Sequence, residues 1–382
     1  MALITDTFVP QVNGVSTVLQ RMTTALSTAG HHVAMVAPRY PDHPSTDTAQ
    51  RLRIPSVAFP PYPDIRLSAP LLGRIDRFLD AVSPDLLHVA TEGPLGFAGR
   101  RYALRRRRPL VTSFHTDFPR YCRDYGVGAL EPLVWRWLAW FHGPAAVTQT
   151  PGEHTRDLLR SRGFGTVMVW GRGVDVQLFH PQHRSAAVRR RLNVRDDQLM
   201  IIHVGRLAPE KNIPILLDAW EAARESLGDR AVFVIAGDGP MHALVRERAP
   251  WAAVTGFLRR VDLAALYASA DLCVLPSTTE TCGLVALEAM ASGLPVIAAN
   301  AGGFAESVRD GENGLLVPPR DTRATAAAII QLALEDHRRQ EMRTGARRWA
   351  EQRDLRIEDQ QLIDLYHQLI GSPRRAPLCL AV

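Results

Sequence analysis

Hydrophobic positions fall into two kinds of block along the chain. Short, nearly continuous apolar runs bounded by glycine, proline or polar residues predict buried parallel strands. Between them, longer stretches with apolar residues three and four positions apart predict amphipathic helices. The chain opens with an apolar run at Met1–Thr5, a loop, a helix that ends at Gly30, and a strand in HHVAMVAP. This succession predicts a βαβ unit of a doubly wound α/β sheet.

The second half of the chain starts the same pattern again. LMIIHVGRLAPEKN and AVFVIAGDGP each indicate a strand followed by a loop, with a helix between them. A chain of 382 residues is too long for one typical domain, and its composition shifts near Pro181. We therefore predict two domains, residues 1–178 and 185–354, with a C-terminal helix at about 355–372 that packs back on the first domain.

Composition narrows the class of protein. Hydrophobic residues make up 46% of the chain, which is enough for two cores, and the net charge is +6. A basic chain can meet nucleic acid, an anionic membrane or phosphorylated substrates. Nucleic acid is the least favoured partner because there is no basic tail and no alternation of aromatic and basic residues. The four cysteines are scattered without zinc-ligand spacing, so no metal site is predicted.

Localisation and surface contacts follow from the same composition. No apolar run is long enough to span a bilayer, which predicts a cytoplasmic protein, with peripheral contact on the inner face of the plasma membrane left open. One predicted helix carries a cluster of arginines, and these either form a solvated helix end or contact an anionic membrane. The cluster comprises Arg100, Arg101, Arg105, Arg106, Arg107 and Arg108.

Two other segments of the first half carry expectations. Residues 41–65 are rich in proline and are expected to be irregular. The run WRWLAWF at Trp135–Phe141 is predicted to be a buried helix rather than a functional aromatic stripe.

The stretch Ser277–Pro295 combines polar residues, glycine and two carboxylates. It begins with hydroxyl residues and Glu280, continues through Gly283 into LVALEAMA with Glu288, and closes at Gly293. Polar start, helical middle and glycine end predict a helix. The unpaired N–H groups and dipole at its start can hold a diphosphate, while the carboxylates hold hydroxyls. An ordinary amphipathic helix with solvated glutamates is the alternative.

Two loops of the first half also qualify as ligand sites. Gly14 stands where a loop becomes a helix, so a ligand can approach the backbone there, unless the glycine serves only the turn. His115 and Asp117 follow the strand PLVTSF, at the strand end where open α/β sheets bind ligands. The histidine can hydrogen-bond a reacting group or transfer a proton, with a purely structural role as the alternative.

Seven motifs in order resemble one known family. GRLAPEKN, AGDGP, VTGFL and TETCGLVALEAMASGLPVIA, together with DTFVPQVNGVS, SFHTDFPRY and WGRGVDVQLFHP, are similar to retaining glycosyltransferases of family 4. The resemblance covers about residues 1–370. It implies the GT-B fold, which has two Rossmann-like doubly wound domains facing a central cleft. FHTDFPRY and WGRGVD are similar to GDP-mannose-dependent α-mannosyltransferases and to sulfoquinovosyl or glycosyl diacylglycerol synthases.

The resemblance implies a role for each candidate residue. Arg206 and Lys211 resemble the clamp on the donor diphosphate, because two cations can neutralise the leaving group. Glu280 is placed near the transferred sugar and Glu288 on the ribose, in which case Glu280 lies in the loop before the helix. His115 contacts the sugar near the reacting carbon. Further implied contacts are the diphosphate with Asn13 and Gly14, the base with Gly256, Phe257 and Leu258, sugar and phosphate oxygens with the backbone at Cys282, Gly283 and Leu284, and the acceptor with Asp6 and Asp117.

The implied reaction moves a hexose, mannose as the first expectation, from a nucleoside-diphosphate sugar to a lipid or glycoside acceptor. The linkage is α, the leaving diphosphate takes the acceptor proton, and no metal or other cofactor takes part. Alternatives are a UDP-hexose-dependent glucosyl or sulfoquinovosyl transferase acting on diacylglycerol, a nucleotide-sugar epimerase, and a non-catalytic sugar-binding scaffold. Two departures from the family stand out. The family often has phenylalanine at the position of Cys282. The first strand is also short, which predicts a weaker edge of the first sheet.

Overall fold

The computed structural model describes residues 1–371 except 12, 41–47, 49, 60–61, 70, 125, 172 and 281. The chain divides into two compact units, one formed by Met1–Gly171 with the chain from Glu358 onward, and the other by Arg172–Ile357. Each unit is an α/β layer structure around its own parallel sheet. None of the helices in the described part of the chain combines the length and apolar character that crossing a bilayer requires.

The first unit contains a seven-stranded parallel sheet and a separate antiparallel hairpin. The sheet order is β3-β2-β1-β6-β7-β8-β9, and β4 pairs with β5. The elements are β1 Ala2–Ile4, α1 Gly14–Thr28, β2 Ala34–Pro38, β3 Arg51–Ile54, β4 Ser56–Phe59, β5 Tyr62–Ser68, α2 Leu72–Val82, β6 Leu87–Val89, α3 Pro94–Arg105, β7 Leu110–Ser113, α4 Phe118–Asp124, α5 Glu131–His142, β8 Val147–Thr150, α6 Glu153–Ser161 and β9 Val167–Val169.

Two expectations about this unit are wrong. Residues 51–68 contain β3, β4 and β5 rather than irregular chain, because proline is tolerated at strand ends and in hairpins. The first strand is not at an edge. β1 pairs with β2 on one side and with β6 on the other, since the chain first winds outward to β3 and then returns to the middle. The sheet's edges are β3 and β9.

The second unit has a six-stranded parallel sheet in the order β12-β11-β10-β13-β14-β15. Its elements are α7 Ala186–Arg191, β10 Leu199–Val204, α8 Ile213–Leu227, β11 Ala231–Ala236, α9 His242–Arg248, β12 Ala253–Gly256, α10 Arg260–Ser269, β13 Leu272–Leu275, α11 Leu284–Ala291, β14 Val296–Ala299, α12 Gly302–Ser307, β15 Gly314–Val317, α13 Thr322–Leu334 and α14 Asp336–Glu351. Met200 and Ile202 of β10 pack in one core and Ile201 in another. Cores on both faces of the sheet explain why its strands are continuous apolar runs.

The last helix, α15 Leu355–Gly371, contributes to the first unit from Glu358 onward. Trp170 donates its indole N–H to the Glu358 carbonyl at 3.1 Å, and the Gly171 N–H donates to the Glu358 carboxylate at 2.8 Å. Further along the helix, Tyr366 is almost fully buried and its hydroxyl hydrogen-bonds the ring of His88 on β6. Contacts at both ends therefore fix α15 to the first unit.

Each sheet reverses its direction of winding between two neighbouring strands, β1 and β6 in the first and β10 and β13 in the second. Ligands of open parallel sheets bind outside the carboxyl ends of the strands at such a switch point. The loops that leave β10 and β13 are GRLAPEKN and PSTTETCG. The topology thus brings together two of the sequence segments that carry candidate ligands.

Candidate active site

Lys211 and Glu280 form an ion pair at the switch point of the second sheet. Lys211 lies in the loop after β10 and Glu280 in the loop after β13, 69 positions later, and the Lys211 ammonium donates directly to the Glu280 carboxylate. Their side chains are 22% and 17% exposed. Partial burial strengthens the pair relative to one at the surface. The site therefore holds one cation and one anion that neutralise each other.

Backbone contacts between the two loops hold this pair in place. The side-chain amide of Asn212 donates to the Pro276 carbonyl at 3.0 Å. The hydroxyls of Ser277 and Thr279 donate to the Glu210 carbonyl at 3.2 and 3.3 Å. Asn212 itself has a left-handed φ of 53°, which ends the short turn that carries Lys211 and begins α8. The lysine is thus presented from a rigid turn.

Two glycines in AGDGP support the loop that carries Arg206. A Cβ on Gly237 would lie 1.8 Å from the Gly205 carbonyl oxygen, and one on Gly239 would lie 2.5 Å from the Leu207 carbonyl oxygen. The Leu207 N–H donates to the Asp238 carbonyl at 3.0 Å. Arg206 is exposed. The glycines are needed because one backbone packs directly on another.

Glu280 lies in the loop before α11, as expected from the resemblance. The helix begins at Leu284, after Gly283 with a left-handed φ of 71°. The Glu280 carbonyl accepts from the Gly303 N–H at 2.7 Å, and a Cβ on Gly302 would lie 2.4 Å from that same oxygen. Cys282 is 7% exposed and belongs to the apolar core, so its side chain packs inward. Among the residues that the structure describes, no side chain caps the start of α11, so its first N–H groups lack a partner of that kind there.

Glu288 is the second carboxylate, one turn into α11. Burial raises its pKa to about 7, and the neighbouring Arg260, with a guanidinium 3.5 Å from the carboxylate, acts in the opposite direction. The carboxyl therefore keeps its proton to a higher pH than an exposed glutamate does. Arg260 had no signal in the sequence, since it stands 28 positions before Glu288 at the start of another helix.

The loop after β12 carries the residues predicted for the base. Gly256 has a φ of 69°, and nothing lies within 4 Å of where its Cβ would be. Phe257 is 66% exposed, which is unusual for a large aromatic side chain. Leu258 is half-buried against the core. The loop thus offers open backbone and an exposed ring.

In the first unit, Asp6 and Asp117 serve helix starts. The Asp6 carboxylate accepts from the Leu95 N–H at 3.0 Å, the Gly96 N–H at 3.3 Å and the Thr91 hydroxyl at 2.8 Å, and burial raises its pKa to about 6. The Asp117 carboxylate accepts from the Arg120 N–H at 3.1 Å, at the beginning of α4. Both carboxylates therefore stabilise the start of a helix. Their contact with an acceptor stays a prediction.

Three more candidate residues of the first unit lie at a helix start or after a strand: Asn13, Gly14 and His115. Asn13 caps α1 through a reciprocal pair of bonds with Ser16, and the position of a Cβ on Gly14 has nothing within 4 Å. His115 follows β7, its Nε2 is buried without a partner in the described part of the chain, and burial lowers its pKa to about 4. The imidazole is neutral at pH 7.

Comparisons with known proteins decide the family. Two family models match, "Glycosyltransferase Family 4" over residues 12–178 and "Glycosyl transferases group 1" over residues 185–349. The chain is 35% identical to the GDP-mannose-dependent alpha-mannosyltransferase of Mycobacterium tuberculosis, over 97% of either chain. The chain belongs to the family 4 glycosyltransferases.

This glycosyltransferase is also similar to a second relative in sequence and to a solved structure in fold. It is 32% identical to the sulfoquinovosyl transferase of Arabidopsis thaliana, over 78% of this chain and 59% of the relative. Its structure superposes on the sucrose-phosphate synthase of Thermosynechococcus elongatus with a TM-score of 0.81 and 22% identity, covering 98% of this chain and all of that one. The fold is GT-B, with two Rossmann-like doubly wound domains. Both the fold and the family predicted from the sequence are confirmed.

The arginine cluster of this glycosyltransferase is largely paired with acids. Arg101 and Arg105 bind Asp76 at 3.0 and 2.8 Å, and Arg106 binds Asp80 at 2.5 Å. Arg100 donates to the carbonyls of Trp140 and Phe141 at 2.9 and 3.0 Å, at the end of α5. Arg108 donates to the Ser83 hydroxyl at 3.3 Å. Two aspartates therefore offset part of the positive charge of the six arginines, and Arg100 caps the end of α5.

The prediction that the run WRWLAWF is buried is wrong for two of its tryptophans. Trp135 and Phe141 are buried, but Trp137 and Trp140 are 41% and 45% exposed. Leu133, four positions before Trp137, is 59% exposed. Spacings of four and three place these three side chains on one face of α5. We call Leu133, Trp137 and Trp140 the α5 face.

Among the described residues, no three His, Cys, Asp or Glu side chains lie close enough together to hold a metal ion. The groups that can balance phosphate charge in the second unit are Arg206, Lys211 and Arg260, together with the start of α11.

Proposed function

We propose that this glycosyltransferase moves a hexose, with mannose as the first candidate, from a GDP-sugar to a lipid or glycoside acceptor. The product has an α linkage, so the configuration of the donor is retained. The observation that carries the proposal is the Lys211–Glu280 pair at the switch point of the second sheet. The relative that is 35% identical over the whole chain and named a GDP-mannose-dependent alpha-mannosyltransferase supports the choice of donor.

The pair fits a donor that carries both negative charge and hydroxyls. A diphosphate offers Lys211 a stronger partner than one carboxylate, and Arg206 on the same loop adds a second cation. Release from Lys211 leaves the Glu280 carboxylate to accept hydrogen bonds from sugar hydroxyls. Both new partnerships arise only when phosphate and sugar arrive together, so the site favours a nucleotide-sugar over phosphate alone.

The same cations serve the chemical step. Negative charge grows on the diphosphate as the bond to the sugar breaks, and fixed cations in a partly buried site stabilise it. The leaving phosphate oxygen accepts the proton of the acceptor hydroxyl on the same face of the sugar, which preserves configuration. In this scheme Lys211 and Arg206 supply the charge that a metal ion supplies in other transferases, and no cofactor is needed.

Glu288 suits a ribose. An ionised carboxylate accepts from two neighbouring hydroxyls, and those bonds favour the ionised form over the neutral one. Because burial raises its pKa to about 7 in the unliganded protein, ribose binding displaces a proton from Glu288. The exposed Phe257 offers a ring on which a nucleobase can stack.

The α5 face supports a lipid acceptor at an anionic membrane. Burying the exposed halves of two indoles in a membrane interface contributes roughly 2 kcal/mol each. Arg136, exposed one position before Trp137, provides positive charge for anionic headgroups. We assign the membrane contact to this face rather than to the arginine cluster, whose guanidinium groups Asp76 and Asp80 already engage.

A panel of nucleotide-sugars tests the proposal. GDP- and UDP-sugars are added singly in thermal unfolding, where a ligand at 100 times its Kd stabilises by about 2.7 kcal/mol. Each ligand that binds is then offered with diacylglycerol, glycolipid or soluble glycoside acceptors. Transfer from GDP-mannose is expected. A preference for a UDP-hexose with diacylglycerol would favour the second candidate, which the 32% identical sulfoquinovosyl transferase supports. Epimerisation of the sugar without an acceptor would indicate an epimerase. Binding without turnover would indicate a non-catalytic scaffold.

A further inference from the structure

A surface cavity of about 670 Å³ lies in the second unit, between α14 and the turn that precedes β15. Its volume is within the range of small-molecule sites. Four side chains spaced three or four positions apart, and therefore on one helical face, line it from α14 and its C-cap: Glu341, Thr344, Arg348 and Gln352. The turn adds Arg309 and Glu312. We call this cavity the α14 groove.

The α14 groove lies at the opposite edge of the second sheet from the predicted donor loops. β15 begins at Gly314, directly after the turn, and all six strands of this sheet are parallel. The turn is therefore at the amino ends of the strands, whereas the loops that carry Lys211 and Glu280 follow the carboxyl ends. A ligand in the groove does not compete for the donor loops.

Backbone and side-chain contacts hold the wall of the groove in place. A Cβ on Gly345 would lie 2.1 Å from the Glu312 carbonyl oxygen, so the turn packs directly on the helix there. The Asn313 side chain accepts from the Arg309 N–H at 2.8 Å and donates to the Ser307 carbonyl at 3.2 Å. The turn is thus ordered by the chain itself, and a ligand need not supply that ordering.

The groove contains a cation that has no counterion in the described part of the chain. Arg348 is exposed, and no ion pair or hydrogen bond engages its guanidinium among the residues that the structure describes. Arg309 lies 3.6 Å from the Glu312 carboxylate, and both side chains are more than half exposed. Such a pair contributes little and can exchange its partner. Arg348 can therefore bind a phosphate, with Arg309 as a second cation in the same cavity.

The remaining lining selects among phosphorylated ligands. Trp349 lines the groove but is only 9% exposed, so it offers a nucleobase little surface for stacking. The carboxylates of Glu312 and Glu341 repel a polyanion but accept hydrogen bonds from hydroxyls. Thr344 and Gln352 add an exposed hydroxyl and an exposed amide. A ligand with one phosphate and several hydroxyls fits this lining better than a nucleotide, a nucleic acid or an apolar molecule.

We infer that the α14 groove binds a hexose phosphate. The guanidinium of Arg348 binds the phosphate through two parallel hydrogen bonds, and Arg309 adds charge beside it. The sugar hydroxyls bond the carboxylates, the amide and the Thr344 hydroxyl. This second site does not depend on the proposed transfer reaction and goes beyond it.

Isothermal titration calorimetry on the full chain tests the site. The 6-phosphates of glucose, mannose and fructose are titrated in turn, each with GDP in excess so that the donor site is occupied. At least one of them is expected to bind with a stoichiometry of one. Inorganic phosphate and the free hexose are expected to bind at least tenfold more weakly, because each engages only half of the lining.

Three variants of α14 assign the binding to the groove. Arg348→Gln removes the guanidinium and Thr344→Glu adds a carboxylate, and each is expected to weaken hexose phosphate binding at least tenfold. The matched control is Arg338→Gln on the same helix but outside the groove, where the guanidinium lies 3.3 Å from Glu335. Its affinity should stay within twofold of the wild type. All three should melt close to the wild type without ligand, since exposed side chains contribute little to stability.

The inference is overturned if no hexose phosphate binds at concentrations up to about 10 mM, or if inorganic phosphate binds as tightly. Wild-type affinity in Arg348→Gln and Thr344→Glu, or an equal loss in Arg338→Gln, would also overturn it. Competition between GDP and hexose phosphate would assign the ligand to the donor site instead. A protein that binds hexose phosphate in the groove but neither GDP nor a nucleotide-sugar would contradict only the proposed function.

Discussion

The ionisation of Glu288 gives a quantitative test of the donor site. Burial in α11 raises the pKa of this carboxyl to about 7, and Arg260 only partly offsets the rise. In the proposed site, ribose hydroxyls bond the ionised form, so binding of the donor should bring the pKa back toward its ordinary value of 4.5. Donor binding then releases a proton below pH 7, and affinity must rise with pH.

The size of the effect follows from the two pKa values. With a pKa of about 7 in the unliganded protein, and taking a full return to the ordinary 4.5 on binding, donor affinity increases about 70-fold between pH 5 and pH 8 and approaches tenfold per pH unit below pH 7. Folding stability changes in the opposite direction. The folded state holds the proton more tightly than the unfolded state, so stability is lost as pH rises from 4.5 to 7, by about 3 kcal/mol in all.

Isothermal titration with an intact nucleotide-sugar measures the affinity, because its diphosphate diester does not titrate in this range. Glu288→Gln is the matched variant. It should bind the donor weakly at every pH with a flat profile, and it should unfold at a higher temperature than the wild type at pH 8. A wild-type affinity that is independent of pH, or the same slope in the glutamine variant, would refute the assignment of Glu288 to the ribose.

Three further predictions concern the charged site, the membrane and the metal. Lys211→Ala should lower kcat by 100-fold to 1,000-fold, the usual effect of losing one group that stabilises transition-state charge, with an unchanged fold by circular dichroism; near-normal turnover would exclude the diphosphate role. Trp137→Ser with Trp140→Ser should weaken binding to anionic vesicles at least tenfold in sedimentation, whereas Arg105→Glu with Arg106→Glu should change it less than threefold, and the reverse order would assign the contact to the arginine cluster. Activity should survive EDTA, and a loss that Mg²⁺ restores would contradict the metal-free mechanism.

Much of the fold could be predicted from the sequence because its signals are local. Apolar runs such as LMIIHV are buried on both faces of a parallel sheet, and that burial is what makes them continuous. The motif around Glu280 was recognisable because glycine and small residues are required where backbones touch, as at Gly302 and Gly303 against the Glu280–Cys282 loop. Local steric requirements of this kind leave a pattern in sequence.

Other features depend on distant partners and leave no such pattern. The ion pair of Arg260 with Glu288 joins two helices, and the sequence of neither helix indicates its partner in the other. The run WRWLAWF is apolar except for Arg136, so periodicity alone could not separate the buried Trp135 from the exposed Trp137.

The Lys211–Glu280 pair means that Lys211 has a counterion from within the chain, and this bears on product release. In the proposed reaction, the nucleoside diphosphate stays bound to Lys211 after transfer but no longer brings a sugar to Glu280. The carboxylate is then left partly buried beside a negative product, which weakens the binding of that product. The glutamate thus works as an internal competitor of the spent nucleotide. A site with an internal ion pair can bind the donor during the reaction and still release the nucleoside diphosphate.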